Sequence, residues 1–439
     1  MCLTIPGKIL SIDKGVATVL SGSKTAQIDL GIVFDAEVGN WVLYAGERAV
    51  KVITEQDAKE IISLLEDKYH PVDVAKLPLK FKKIIFKVRT GDSALTRDEI
   101  IYLLKLKGSD NLETLHAEAN FLRKDKIEDF VCIHGIVEFS NYCKNNCLYC
   151  GIRRDSNKSR YRMASEEIYQ IVESAVNIDN YKLIVLQSGE DEAIIDDEIL
   201  ELVKKIKKNL QVVVFLSVGE RSLEFYKKAW RAGARGILIR FETANSELYS
   251  EMRPGLKIED RLALIKEMKK IGYYIATGSL IGLPGQSLED IADDLCLVKE
   301  LGNPMISAGP YIGAKNTPLE MTKSKFQISD KISNNKIQNL SDASMIELTL
   351  KYIAVARFMM PEVKIPVTTA LETLDSENGR HRGLLAGANA LMFNLTPEKY
   401  AGDYSIYDNK YREREKIWQK YGLFKGEESW EMMEEKLKG

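Results

Sequence analysis

Three cysteines fall within eight residues of this chain, Cys143, Cys147 and Cys150, in the spacing C-x3-C-x2-C. Soft thiolates hold zinc or iron–sulfur clusters. Zinc sites close with four ligands, commonly as two separated C-x2-C pairs. No second pair exists here, and Cys2, Cys132 and Cys296 stand alone, so a structural zinc loop lacks its fourth ligand. Three thiolates suit a cubane [4Fe-4S] cluster with one iron left open to a small chelating ligand. Lys144, Asn145, Asn146, Arg153 and Arg154 surround the triad, which is expected to favour thiolate over thiol.

The run before the triad, 133–139, is β-rich and reads as a buried strand, so the cysteines sit on a loop at a strand's C-terminal end. From residue 131 onward, strand and helix patterns alternate. Strands are expected at 133–139, 183–187, 212–217, 236–240, 274–280, 305–308, 365–368 and 390–394. Helices are expected at 165–176, 196–209, 223–232, 258–271, 288–301 and 344–358. Eight strands with intervening helices is the count of a (β/α)8 TIM-type barrel, which carries function on the loops at its strand C-termini. Helices over 79–130, one opened by the capping box Thr96–Glu99, would cover one end of it. Residues 1–53 hold five short β runs broken by Gly, Ser and Asp, the size of a small OB-like β-barrel. An amphipathic helix follows at 55–66. The expected α/β architecture is a small barrel plus helix over 1–68, a linker over 69–78, the large barrel with its helical cap over 79–410, and a helical extension over 411–439.

The 439 residues carry 62 Lys and Arg against 64 Asp and Glu, so no global field points to nucleic acid or a membrane. Six cysteines in so long a chain do not make a disulfide framework. Neither a signal peptide nor an 18-residue apolar run is visible, and a cytoplasmic location is expected. Of the four histidines, His134 reads as a satisfied core residue, and His70, His116 and His381 lie on stretches expected to be exposed.

The cysteine spacing, with Tyr149 just before the last thiol, resembles the radical-SAM signature. That resemblance implies a [4Fe-4S] cluster whose open iron chelates S-adenosylmethionine (SAM) and whose reduction cleaves it to a 5′-deoxyadenosyl radical. The strand ends then offer SAM contacts. After the second strand comes Gln187-Ser188-Gly189-Glu190-Asp191, where Ser188 and the backbone suit the SAM ammonium; a plain turn with an N-cap fits Ser188 and Asp191 equally well. Ser217 ends the third strand and suits the SAM carboxylate, or caps a helix. Glu242 leaves the fourth strand and needs a polar partner, for which Arg240 and Arg261 are available. A carboxylate suits the SAM ribose and an arginine the SAM carboxylate; a structural ion-pair network is the alternative. Gly282-Leu283-Pro284-Gly285-Gln286 turns sharply over the mouth, and an adenine ring would lie against it at Leu283. Thr368, Thr369, Asn394 and Tyr400 end the later strands and would face the substrate, although threonines there also serve as β-formers.

Residues from about 80 to 410 resemble the HydE family, the radical-SAM maturases of [FeFe]-hydrogenase. The matching stretches include Glu138-Phe-Ser-Asn141, Cys147-Leu-Tyr-Cys-Gly-Ile-Arg-Arg-Asp155, Tyr161-Arg-Met163, Val185-Leu-Gln-Ser-Gly-Glu-Asp191, Met252-Arg-Pro254 and Pro366-Val-Thr-Thr-Ala370. The resemblance implies that Cys143, Cys147 and Cys150 hold the cluster and that Ser217, Glu242 and Arg261 contact SAM. It also implies that the cavity takes an organometallic iron substrate bearing CO, cyanide and cysteine, to which the deoxyadenosyl group adds. Other hydrogenase maturation proteins and an electron donor such as ferredoxin or flavodoxin are the implied partners. A related member carries His at Phe241 and Thr at Phe215, so a drier, differently shaped cavity is expected. No cysteine trio for a second cluster follows Cys296.

The N-terminal stretch resembles the HypC family of hydrogenase-maturation chaperones, through Met1-Cys2-Leu3-Thr4-Ile5-Pro6-Gly7-Lys8 and Val38-Gly39-Asn40-Trp41-Val42-Leu43. That resemblance makes Cys2 a candidate ligand for an iron–cyanide–carbonyl fragment. The family's histidine is replaced by Ala45. Two other functions fit the same motifs. One is a radical-SAM amino-acid mutase of the methylornithine synthase type, disfavoured by the scarcity of acids and bases at the Thr368 and Asn394 strand ends. The other is a non-catalytic fragment carrier working through Cys2.

Overall fold

The computed structural model describes residues 5–58, 77–323, 337 and 340–410, less positions 22–23, 32, 34, 46, 92–93, 129–130 and 180. Cys2, His70, most of the expected 55–66 helix and 69–78 linker, and the 411–439 extension lie outside the described residues. The chain divides into two compact units, 1–73 and 74–439.

In the first unit, β1 (Ile5–Asp13), β2 (Val16–Ser21), β3 (Lys24–Asp29), β4 (Trp41–Ala45) and β5 (Arg48–Ile53) close into a barrel in the order β1-β2-β3-β5-β4. Lys14 and Gly15, both at positive φ, make the tight β1–β2 hairpin that a right-handed strand twist requires. Alternate residues point inward, and Ile9, Ala17, Val19, Ile28, Val42 and Ala49 form its core.

The second unit opens with α1 (Leu79–Arg89), α2 (Arg97–Leu104) and α3 (Ser109–Ile127). The repeating part runs β6 (Cys132–Ser140), α4 (Ser165–Asn177), β7 (Leu183–Ser188), α5 (Asp196–Asn209), β8 (Val213–Ser217), α6 (Leu223–Ala232) and β9 (Gly236–Leu238). It continues with α7 (Ser246–Met252), α8 (Ile258–Ile271), β10 (Tyr274–Thr277), β11 (Leu280–Ile281), α9 (Leu288–Leu301), β12 (Met305–Ile306), β13 (Gly309–Pro310) and α10 (Pro318–Lys323). Last come α11 (Asp342–Met359), β14 (Pro366–Val367), α12 (Thr369–Leu374), α13 (Gly379–Leu385), β15 (Ala390–Asn394) and α14 (Glu398–Ala401).

Eight strands pair in parallel in the order β12-β10-β9-β8-β7-β6-β15-β14. The two edges meet at one further parallel bridge, Met305 to Lys364, where Ile306 N donates to Lys364 O at 2.8 Å and Lys364 N to Pro304 O at 3.0 Å. The ring is therefore a barrel. Its strands are apolar on both faces because both faces are covered. Leu183, Val185, Val213, Phe215, Ala276 and Met392 fill the interior, while Val137, Ile184, Leu186 and Val214 pack outward under the helices. The early helices lie in the outer layer, α2 against α9 and α11, and α3 against α11 and α13. The capping box is present: Thr96 Oγ1 accepts from Glu99 N at 3.2 Å and Thr96 N donates to Glu99 Oε2 at 2.7 Å.

Candidate active site

A cavity of about 260 Å³ opens at the C-terminal ends of the strands. Its lining includes Cys143, Cys147, Cys150 and Tyr149 from the loop after β6, Ser188, Ser217, Arg240 and Glu242 from the ends of β7, β8 and β9, Arg261 from α8, and Thr368 and Thr369 from the end of β14. Eleven residues assigned from sequence to cluster, SAM or substrate thus share one cavity.

The cysteine loop is held by backbone bonds from several elements. Lys144 N donates to Glu190 O and Leu148 N to Met252 O, both at 2.9 Å, and Gly151 N to Ile406 O at 2.9 Å. Gly189 admits the loop: a Cβ there would stand 2.2 Å from Tyr142 O and 2.9 Å from the Cys143 Cβ. This glycine lets two chain segments touch, and it also lines the cavity.

The basic neighbours do not act on the thiols as expected. Lys144 pairs with Glu192 at 3.1 Å, Arg153 Nε donates to Asn146 at 2.7 Å, and Arg154 pairs with Asp155 at 3.1 Å. Burial pushes the Cys143 thiol up, and burial with the neighbouring Cys147 and Cys143 pushes Cys150 up to about 12. Binding an iron cluster would draw such thiols to thiolate. Among the described residues no three His, Cys, Asp or Glu are arranged to hold a single metal ion; a cubane does not ask for that, since each thiolate takes a separate iron.

The cap alternatives for the two serines fail. Helix α6 is capped by Ser222, whose hydroxyl accepts from Phe225 N at 3.1 Å, so Ser217 is left to the cavity. Ser188 Oγ donates to Gly189 O at 2.7 Å, and α5 starts well beyond it. Asp191 is structural, accepting from Ser140 Oγ at 2.6 Å and from Arg162 at 2.7 and 3.0 Å.

Glu242 sits at φ +68, a left-handed conformation costly for a residue with a side chain. Its Oε2 is buried with no hydrogen-bond partner, and Arg240 Nε lies 3.5 Å away. Arg261 is more constrained than the sequence implied. Its Nε donates to Glu220 Oε1 at 2.5 Å and one Nη to Arg240 O at 3.0 Å; the other Nη is buried without a hydrogen bond, 3.5 Å from Glu190. Thr368 Oγ1 is also buried without a partner. Buried polar atoms left unsatisfied beside three thiols fit a polar cofactor with a ribose and a carboxylate.

Three assigned residues do not reach the cavity. Leu283 is fully buried and packs with Leu248, Met252, Leu280 and Tyr311 beside Tyr149. The turn holding it is folded by Gln286, whose Oε1 accepts from Gly282 N at 2.7 Å and Leu283 N at 3.1 Å. Asn394 stands behind Glu138, donating to its Oε2 at 2.9 Å. Tyr400 stacks on Tyr161 at 4.7 Å and donates to Glu167 at 2.9 Å; stacking and a surface carboxylate hold it away from the substrate.

Further corrections concern the core. Neither Phe241 nor Phe215 lines the cavity: Phe241 packs outward under the helices and Phe215 lies in the barrel interior. His134 is buried but not satisfied, its Nε2 having no partner. His116 is largely buried rather than exposed.

The lining also contains Glu138, Glu190, Arg253, Tyr404, Tyr407 and Lys410, none of them assigned from sequence. Glu138 and Lys410 form a buried ion pair. A carboxylate inside an otherwise apolar strand was a readable signal, since it must find a partner. Its partner, far along the chain, carries no such mark.

Comparison with known proteins bears directly on this geometry. Residues 137–298 match the model of the Radical SAM superfamily and residues 1–65 that of the HupF/HypC family. The [FeFe] hydrogenase maturase subunit HydE of Thermotoga maritima is 40% identical over 316 residues, covering 72% of this chain and 84% of that protein. The chain belongs to the HydE family. Its members are radical-SAM enzymes, which use a [4Fe-4S] cluster and SAM. The 3-methylornithine synthase of Methanosarcina acetivorans is 28% identical over 324 residues, 73% of this chain and 86% of that one. The crystal structure of methylornithine synthase (PylB) superposes with a TM-score of 0.64 at 26% identity, over 75% of this chain and 92% of that one. HydG, a maturase of the [FeFe]-hydrogenase, superposes with a TM-score of 0.60 at 20% identity, over 80% of this chain and 75% of that one, and so shares the fold. Among the described residues no helix is long and apolar enough to cross a membrane.

Proposed function

We propose that this HydE-family chain cleaves SAM reductively and adds the 5′-deoxyadenosyl group to an organometallic iron substrate bearing CO, cyanide and cysteine, during assembly of a hydrogenase cofactor. The observation that carries this reading is the single cavity lined by the three thiols, by Ser217, Glu242 and Arg261, and by Thr368 and Thr369. When bound, the cluster and SAM supply one electron and the deoxyadenosyl radical. The chain's own residues do the rest. Cys143, Cys147 and Cys150 hold three irons as thiolates. Glu242, with a free buried oxygen, accepts from the ribose hydroxyls, while Ser217 and Arg261 donate to the SAM carboxylate. Thr368 offers its unpaired hydroxyl to the substrate. Ile136, Leu280 and Met392 supply apolar lining that excludes water from a reactive intermediate. The kinship with a hydrogenase maturase and the HupF/HypC match at 1–65 support a hydrogenase target.

The test is anaerobic reconstitution. Reduced protein with SAM is expected to yield a 5′-deoxyadenosine-derived product, and Cys147→Ala to abolish both cluster and product. Product formation retained in that variant refutes the reading.

A second reading, a radical-SAM amino-acid mutase of the methylornithine synthase type, gains from one observation. The cavity is not poor in charge, because Glu138, Lys410 and Arg240 all line it, and charged groups suit a zwitterion. Lysine supplied to the reduced enzyme, with no isomer formed, removes this alternative.

A further inference from the structure

We infer that the outward face of α1 is the docking site for this chain's own acidic terminus, residues 427–437. Helix α1 carries five cations in its 11 residues and no carboxylate. Phe81, Ile84, Ile85 and Val88 are buried and fix its inward face. The opposite face presents Leu79 and Phe86, each 69% exposed and two turns apart. A groove of about 280 Å³ runs along this face, lined by Leu79, Lys82, Lys83, Ile85, Phe86 and Arg89. Elsewhere in the second unit, among the described residues, Ile178, Ile195 and Leu385 are exposed singly. Single exposed apolar side chains are ordinary, whereas a pair sharing one groove marks a surface that something covers.

Charge decides what that is. Lys87 pairs with Glu99 at 3.0 Å, Arg89 pairs with Glu118, and Lys80 lies over the Tyr102 ring at 4.8 Å. Lys82 and Lys83 are exposed and enter no ion pair with any described residue. The groove therefore matches carboxylates set beside apolar side chains. A second copy of α1 would bring like charges together. A lipid surface is a poor match, because two side chains on so short a helix bury little apolar area. The stretch 427–437 has the complementary pattern. Glu427, Glu428, Glu431, Glu434 and Glu435 stand with no cation among them, and Trp430, Met433 and Leu437 follow the i, i+3, i+7 spacing of one helical face. The whole chain is net −2, so this acidity is local. Both segments belong to the second unit, 74–439. From Lys410, the last described residue, the chain to Glu427 reaches up to about 55 Å when extended. The tether raises the effective concentration of the acidic stretch at α1, so a weak contact suffices.

The test is carbodiimide coupling of the full-length protein, read by peptide mass spectrometry. Amides are expected between Lys82 or Lys83 and the glutamates of 427–435. In Leu79→Ser/Phe86→Ser, which changes only exposed side chains, their yield is expected to fall at least about tenfold as the apolar contact is lost. The amide from the Lys105–Glu289 ion pair, 2.9 Å apart on other helices, is expected to hold constant and reports that the variant is folded. Lys82→Glu/Lys83→Glu is expected to abolish coupling, and adding Glu427→Lys, Glu428→Lys and Glu431→Lys to restore it with the charges reversed. Equal yields in wild type and the Leu79/Phe86 variant would overturn the assignment, as would failure of the reversed charges to couple. Amides joining labelled to unlabelled chains, in a mixture of isotope-labelled and ordinary protein, would give the face to the terminus of a second copy. Wild-type binding to phosphatidylserine vesicles that does not change when residues 427–439 are removed would give it to lipid. Either result overturns docking within one chain.

Discussion

At Glu242 three facts coincide: a left-handed backbone, burial, and a carboxylate oxygen that makes no hydrogen bond and has only Arg240 Nε beside it, at 3.5 Å. Each is costly alone, and together they mark a group held ready for a ligand. Glu242→Gln is expected to weaken SAM binding by about 1.5–3 kcal/mol, the range for a hydrogen bond to a charged group. The KM for SAM should rise accordingly while cluster absorbance stays unchanged. His116 gives a pH prediction. Burial, with Arg382 and Lys351 nearby, lowers it to about 4 from 6.5. The folded state therefore binds its proton less readily than the unfolded one. Its neutral form contributes stability above pH 6.5, and that contribution is lost as pH falls toward 4, by at most about 3 kcal/mol. Replacing it with Gln should flatten this slope in urea titrations across that window. The three cysteines and Glu242 stood out in the sequence because each breaks a local rule: thiols too closely spaced for chance, a carboxylate just past a buried strand. Leu283 and Tyr400 were misplaced because a motif's position in the chain does not say which way a side chain turns.

Elements were legible in proportion to their length. Helices α5, α6, α8 and α9 begin and end on the residues that apolar periodicity predicts. Short elements were not: α7, α12 and α13 span six or seven residues, too few for a period. The expected strand at 274–280 is interrupted, β10 ending at Thr277 and β11 starting at Leu280. At the break Gly278 lies close against the neighbouring strand, where a Cβ on it would stand 2.6 Å from Ser307 O. The Thr96 capping box ties the start of α2, and Arg97 and Lys105 then pair with Asp293 and Glu289 of α9. Thr96→Ala should cost about 1 kcal/mol in chemical denaturation, without changing SAM cleavage, because nothing on α2 lines the cavity.

For the whole molecule, the sequence places a linker at 69–78 between a strand-only stretch and a helical one, with strand–helix alternation from 131, and the structure divides the chain at 73–74. One polypeptide carries a HupF/HypC match and a Radical SAM match. If the first unit serves the second's product, Cys2→Ala should leave SAM cleavage at its wild-type rate and lower the activity of a co-expressed hydrogenase. Equal hydrogenase activity in variant and wild type would deny Cys2 any part. The order in which the cavity's walls are made also matters. Its thiols leave the ribosome early, whereas Tyr404, Tyr407 and Lys410, which close round the same space, are among the last residues of the barrel. The thiols and the wall that closes round them are thus separated by more than half of the chain. The cavity is walled on all sides only when Lys410 pairs with Glu138.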